Sequence, residues 1–200
     1  WKFKNIYPII IYIMMNEINK KKLLDRALDL KALEYGEFIL ASGLKSNFYF
    51  DGRLLSLDPE CSNIISNWIL SKATEHNAKF IGGPAVAAVP LIGSTVFASY
   101  RTKTPLGGFF IRSDKKDHGL QKQIEGNFRP KSSIIVIDDT VSTGGSLINS
   151  LEVLKEHNCE IKIVLSILDR KLGGSEKLLE LGYRYSSIFE INSKGDFVWI

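Results

Sequence analysis

Ser132-Ser-Ile-Ile-Val-Ile-Asp-Asp-Thr-Val-Ser-Thr-Gly-Gly-Ser146 is the stretch whose reading decides the fold. Ile134 to Ile137 is an unbroken β-branched run without polar alternation, as expected of a strand covered on both faces of a parallel sheet. Two carboxylates, Asp138 and Asp139, end the run; a loop of small residues from Thr140 to Gly145 follows, and an amphipathic segment from Leu147 to Leu154 reads as a helix. The carboxyl end of such a strand opens onto the crevice where open α/β sheets bind ligands. Gly144 and Gly145 let the backbone come close to a ligand, and the start of the helix offers unpaired N–H groups and a positive dipole end to an anion. Adjacent acids repel each other unless hydroxyls or a metal ion lie against them. The segment therefore predicts a ligand with a vicinal diol at one end and a phosphate at the other. A plainer reading, in which Asp139 or Thr140 merely caps the helix, does not account for so particular a run of residues. Neither Gly-x-x-x-x-Gly-Lys-Ser/Thr nor a helix-opening Gly-x-Gly-x-x-Gly occurs in the chain.

Outward from this stretch, strands alternate with helices. Lys79–Ile81 reads as a strand, Gly82-Gly83-Pro84 as a tight loop, Ala85–Ser99 as a small-residue helix and Gly107–Ile111 as a strand. Gly145–His157 reads as a helix, Ile161–Leu168 as a strand, Ser175–Leu181 as a short helix and Tyr185–Phe189 as a last strand. That alternation implies an α/β fold with a parallel sheet covered on both faces. Earlier in the chain, Glu17–Leu33 has helical spacing and is broken by Gly36. Phe38–Leu40 and Asn47–Phe50 are short strand candidates, and Asp58-Pro59 starts a helix with Ile64, Ile65, Trp68 and Ile69 as its buried stripe. Residues 1–15 read as an extension: Ile6–Met15 is apolar but too short to span a bilayer, and no small-residue cleavage site follows it. Residues 16–200 read as one domain.

The 200 residues carry 26 Lys and Arg against 22 Asp and Glu, a net charge of +4, which does not by itself argue for nucleic acid. The distribution is more telling, because Arg101–Lys131 holds eight basic residues against three acids, a stretch suited to a small polyanion or a solvated loop. Cys61 and Cys159 lack CxxC spacing, and His76, His118 and His157 lack metal-ligand spacing. Reduced thiols and a cytoplasmic location, away from membranes, are the expectation. Ser113–Phe128 is a long polar loop bearing Arg112-Ser-Asp-Lys-Lys-Asp-His118-Gly. Such a loop suits either a mobile lid that closes on a pyrophosphate, excludes water and offsets the departing charge, or a solvated surface loop, which charge content alone favours.

The Ile134–Ser146 segment resembles the binding motif for phosphoribosyl pyrophosphate (PRPP) in type I phosphoribosyltransferases. Arg-x-x-x-Lys-Asp-His-Gly, with Ile124-Glu125-Gly126 beyond it, resembles the catalytic loop of the orotate phosphoribosyltransferases. Phe38–Asp51 with Arg53 resembles that family's orotate-side hairpin, Gly82-Gly83-Pro84-Ala85 its pyrophosphate-side loop, and Leu168-Asp169-Arg170 its base-contacting strand end. The resemblance implies the type I fold, with a five-stranded parallel core and a small hood formed by the terminal segments. Asp138 and Asp139 would hold the ribose hydroxyls, with Asp139 in a catalytic role, and Thr140, Val141, Ser142, Thr143, Gly144, Gly145 and Ser146 would wrap the 5′-phosphate. Arg112, Lys116 and His118 would be catalytic, contacting the pyrophosphate in the neighbouring subunit's site of a homodimer. Ser142, Arg170, the backbone near Tyr49 and Phe50, and Lys45 would form the orotate pocket, with Asp169 orienting Arg170. Mg²⁺ would travel on PRPP, with Asp138 or Asp139 as candidate ligands. A purine-specific relative and a non-catalytic PRPP-binding regulator are the alternatives. Three positions depart from the family pattern: Ala41, Ala87 and Ser113 stand where many members carry lysine.

Overall fold

The computed structural model describes residues 19–39, 45–113, 123–192 and 196–199. The chain divides into two units, Trp1–Ile64 and Ile65–Ile200. The predicted extension lies outside the described residues up to residue 18.

In the first unit, helix α1 (residues 19–29) buries Leu23 and Ala27. The helix stops earlier than Leu33 because Lys31 takes a left-handed conformation, φ 55°, which turns Ala32 and Leu33 into the core. Gly36 therefore does not end the helix; it lies within strand β1 (Leu33–Ile39), which pairs antiparallel with β2 (Lys45–Phe50). The pairing runs from Leu33↔Phe50 to Ile39↔Lys45, with an irregularity between Tyr35 and Phe38. A short helix that the sequence did not announce, α2 (Gly52–Ser56), is capped by Asp51, whose carboxylate accepts the Arg53 N–H at 3.0 Å.

Helix α3 (Pro59–Glu75) begins where Asp58-Pro59 predicted. Asp58 Oδ1 accepts the N–H groups of Glu60 at 3.2 Å and Cys61 at 3.0 Å, satisfying two donors that the first helical turn leaves open. Its Oδ2 takes Arg26 Nη2 at 2.8 Å and Nε at 3.2 Å, so one buried carboxylate both caps α3 and ties it to α1. Of the predicted stripe, Ile65 and Ile69 are buried together with Cys61, whereas Ile64 and Trp68 are half-buried.

The second unit is built on a seven-stranded sheet in the order β5-β4-β3-β6-β7-β8-β9. Its strands are β3 (Phe80–Gly82), β4 (Gly107–Ile111), β5 (Ile124–Gly126), β6 (Ser133–Val141), β7 (Glu160–Asp169), β8 (Tyr185–Ile191) and β9 (Phe197–Trp199). The five inner strands, β4-β3-β6-β7-β8, run parallel, and β5 and β9 close the two edges antiparallel. The β5 strand interrupts what read as one long loop from Ser113, and β9 was not anticipated. Helices α4 (Ala88–Arg101), α5 (Gly145–Glu156) and α6 (Gly174–Glu180) join successive parallel strands. Residues 85–87 form a turn before α4, and Pro90 falls in its first turn, where the missing N–H is harmless. The core is continuous: Phe109, Ile111, Ile134, Val136 and Val164 on the sheet meet Leu147, Leu151 and Leu154 of α5 and Leu178 of α6.

Two features of this topology position a site. From β3 the chain crosses to β4 on one side, and from β6 to β7 on the other, so the strand order reverses between β3 and β6. A crevice opens at the carboxyl ends of strands flanking such a reversal. Strand β6 also continues past Ile137 to Val141, beyond the end predicted for it. Its neighbour β7 carries on beside it, with Asp138↔Ser166, Thr140↔Leu168 and Val141↔Asp169 in register. Asp138 to Val141 are thus fixed strand residues, alternating across the sheet.

Hydrogen bonds from Arg26, then the Cys61 amide, hold the Asp58 carboxyl down at about 2 against its burial. A lowered carboxyl stabilises the fold above its unfolded value, and that contribution fades as pH falls through the folded value. Urea midpoints should therefore drop between roughly pH 4 and pH 2 in the wild type. Asp58→Asn, which keeps the cap, should flatten this dependence, while Asp58→Ala should lose about 1 kcal/mol more through the cap.

Candidate active site

At the carboxyl end of β6, successive side chains face opposite ways. Asp138 is buried and Asp139 half-exposed. Asp138 Oδ1 accepts the Asp139 N–H at 2.9 Å, and Ser146 Oγ donates to its Oδ2 at 3.3 Å from the first turn of α5. Burial, and then the charge on Asp139, push the Asp138 carboxyl upward; those two hydrogen bonds pull the other way. The pair gains most from a partner bringing hydroxyl donors or positive charge, which would let both acids be satisfied at once.

The loop after β6 is shaped by glycine. Gly144 has φ +78° and serves as the N-terminal boundary of α5, with no side-chain cap. It accepts the Ile148 N–H at 2.9 Å through its carbonyl, so the N–H groups at the head of α5 are left to a ligand. The first turn contains no acid that would neutralise the positive end of this twelve-residue helix. Beneath the loop lies Gly174, whose N–H donates to Ser142 O at 2.9 Å. A Cβ there would fall 2.5 Å from Ser142 O and 2.8 Å from Gly144 N, so only glycine lets α6 support the loop this closely. Thr140, Ser142 and Thr143 add hydroxyls along the same stretch; Thr140 and Ser142 are half-buried and Thr143 exposed, while Val141 is buried and Gly145 and Ser146 are exposed.

The opposite wall of the crevice follows β3. A Cβ on Gly83 would collide with Ile137 O, so the backbone after β3 packs directly against β6. Gly83 O accepts the Ile111 N–H at 2.9 Å, and the Ala85 N–H donates to Ile111 O at 2.7 Å, which lays residues 83–85 along the end of β4. A cavity of about 600 Å³ is lined there by Ala85, Val86, Val89, Pro90, Phe110, Arg112 and Ser113. Arg112 is exposed at its rim, with its backbone paired to Gln123 (Arg112 N–H to Gln123 O, 3.0 Å) at the base of the predicted lid. Lys116 and His118 lie outside the described residues, as does Ala41. Ala87 is the boundary residue of α4, and Ser113 is exposed.

Arg170 follows directly on β7. Its N–H donates to Val141 O at 2.8 Å, so the strand end carrying it is bonded to the strand carrying the acid pair. Asp169, expected to orient Arg170, engages Lys171: its Oδ1 accepts the Lys171 N–H at 2.8 Å and its Oδ2 lies 3.3 Å from Nζ. In the first unit, Lys45 is exposed at the start of β2, and Tyr49, 37% exposed, packs against Phe38 with ring centroids 5.7 Å apart. Phe50 is buried in that unit's core, opposite Leu33 of β1. Sequence reasoning passed over Gly174 and Lys171. The Gly173-Gly174 pair, set just after a strand end, was the available signal for the first.

Residues 61–199 match the phosphoribosyl transferase domain. The chain is 35% identical to the orotate phosphoribosyltransferase of Rhodopseudomonas palustris over 78% of its length and 85% of the relative's. It is 32% identical to that of Pyrococcus horikoshii over 83% and 88%. The chain belongs to the orotate phosphoribosyltransferase family. Among solved structures, the orotate phosphoribosyltransferase of Mycobacterium tuberculosis, crystallised with Fe(III) dicitrate, superposes with a TM-score of 0.75 at 25% identity, covering 86% of this chain and 97% of that one. The enzyme from Aeropyrum pernix gives 0.68 at 29% identity, over 82% and 91%. The parallel sheet flanked by helices is accordingly the type I phosphoribosyltransferase fold of this family.

Gly174→Ala should push the Ser142–Gly144 turn outward. Phosphoribosyl transfer is expected to fall sharply while the unfolding free energy drops by about 1–3 kcal/mol, the ordinary cost of overpacking; paired activity and urea-unfolding measurements check this.

Proposed function

We propose that this chain transfers the 5-phosphoribosyl group of PRPP to N1 of orotate, giving orotidine 5′-monophosphate and pyrophosphate, a step of pyrimidine nucleotide synthesis. The observation that carries the reading is the acid pair at the end of β6, running through the left-handed Gly144 into the uncapped head of α5. Its spacing suits a ribose diol on the acids and a 5′-phosphate on the amides of residues 144–146, and relatives at 32–35% identity are orotate phosphoribosyltransferases.

Bond breaking at C1′ releases pyrophosphate and leaves an oxocarbenium-like ribosyl centre, which N1 of orotate attacks from the opposite face. The protein contributes positioning and charge neutralisation. Asp138 and Asp139 fix the ribose through its hydroxyls, and Thr140 to Ser146 hold the phosphate. Arg112, with Lys116 and His118 of the lid, takes up the charge of the departing pyrophosphate. Arg170 and Ser142 receive the orotate carboxylate and ring oxygens, since a guanidinium fork matches a planar carboxylate. Tyr49, Phe50 and Lys45 complete the base side.

No group of three or more His, Cys, Asp or Glu able to hold a metal occurs among the described residues. The carboxylates at the end of β6, of which Asp139 is the more exposed, do fit Mg²⁺ arriving on its substrate, since Mg²⁺ binds readily through one or two carboxylates and phosphate oxygens. When bound, Mg²⁺ would lower the charge density of the pyrophosphate; Asp138 or Asp139 would face it.

We infer a homodimer with shared sites. Phe97 and Tyr100 are 66% and 81% exposed and with Pro90 and Gly93 follow helical spacing along α4; Val86, 70% exposed in the turn before the helix, lines the Arg112 cavity with Pro90. An apolar stripe of this kind suits a self-complementary interface, and it would bring each lid to the neighbour's crevice. Free Cys61 and Cys159 suit the cytoplasm, and no described helix is long and apolar enough to cross a membrane.

Loss of orotate absorbance on adding PRPP and Mg²⁺ to the purified protein tests the activity; no change would refute it. Lys116→Ala and Asp139→Asn should each abolish most turnover without unfolding the protein. If the lid crosses between subunits, mixing the two inactive variants should restore activity, because hybrid dimers regain one intact site; no recovery would confine each lid to its own subunit.

A further inference from the structure

Beside Arg170 sits a charge cluster that the reaction as described does not use. Asp169, the last residue of β7, is completely buried, and its register partner on β8 is Glu190. Two carboxylates facing each other across a parallel pair repel, and a buried one is costly unless charge and hydrogen bonds compensate it. Lys171 supplies both. Its N–H donates to Asp169 Oδ1 at 2.8 Å, while its ammonium lies 3.3 Å from Asp169 Oδ2 and 2.9 Å from Glu190 Oε2. Lys171 has φ +52°, a left-handed conformation that is uncommon for a non-glycine residue. The ammonium is accordingly held in its charged form, by Glu190 first and by Asp169 after it.

Arg170 is the residue enclosed by this turn. On one side it is fixed through its own N–H to Val141 O, and on the other by the Asp169–Lys171 clasp. The next contact along the chain, Gly174 N–H to Ser142 O, sets the loop that holds the phosphate.

We propose that Lys171 is a positioning residue for base recognition, clamping Asp169 and Glu190 so that Arg170 presents its guanidinium to the orotate carboxylate. The proposal rests on Arg170 being the orotate ligand. A loosened clasp leaves the acid pair and the head of α5 in place, so it weakens capture of the base rather than of PRPP. Glycine would adopt the same backbone more easily but could not neutralise the two acids.

Steady-state kinetics with orotate and PRPP varied separately test this, alongside thermal unfolding. Lys171→Met is expected to raise KM for orotate about tenfold or more, as misplacement of a binding group does, with KM for PRPP within about twofold. Lys171→Arg should restore most of the orotate affinity. Lys171→Gly, which keeps the turn but not the ammonium, should behave like the methionine variant. Equal rises in both KM values, or an unchanged KM for orotate, would overturn the proposal. If Lys171→Met fails to fold, Glu190→Gln serves in its place, with a smaller but still orotate-selective rise expected and no rise counting against the clamp. Arg170→Ala separates the two levels. If it leaves KM for orotate unchanged, the base-pocket assignment itself falls. If it raises that KM while the Lys171 and Glu190 variants do not, only the clamp falls.

Discussion

The second unit is organised around an awkward electrostatic arrangement, a buried carboxyl next in sequence to a half-exposed one at the end of a central strand. Removing Asp138 from water while Asp139 sits beside it disfavours ionising both. The protein offers only partial relief, an amide from Asp139 and a hydroxyl from Ser146. What remains is a standing demand for hydroxyls and positive charge, placed where the strand order reverses and a crevice must open. The glycine positions serve that demand. Gly83 lets the neighbouring loop press against Ile137, and Gly144 and Gly174 let the loop after β6 pack closely against the start of α6. A protein with these strands but bulkier residues at those positions would keep the sheet and lose the site.

Much of this was legible in the sequence where the signal is local. The Asp58 cap with Pro59, the apolar run of β6 and the Gly144-Gly145 entry to α5 are each read from a few adjacent residues, and each element begins where expected. Legibility failed where neighbours decide. Asp138-Asp139 has little strand preference, yet β6 runs through it because β7 offers partners out to Asp169. Three-residue β5 and β9 exist only as additions to an edge already formed. Helix α1 gave up its last predicted turn to bury Ala32 and Leu33, a tertiary gain that spacing does not encode.

The site followed the same division. The acid pair was visible as a pair, but which acid is buried depends on strand alternation continuing past Ile137. Asp169 read naturally as a partner for the arginine next to it. Lys171, two positions on, also pairs with it, and bridges it to Glu190 on another strand. Sequence proximity suggests who can meet; the charge of more distant neighbours decides who does.

The short antiparallel strands at either margin of the sheet have a consequence beyond architecture. A five-stranded parallel core ending in long bare edges would present rows of open amides and carbonyls to any passing extended chain. Here each flank is finished by a three-residue strand running the other way, too short to template another protein's backbone. The seven-stranded sheet is thus guarded against growing by strand addition. Association through a helix surface remains open to it, and at that surface side-chain fit rather than backbone pairing selects the partner.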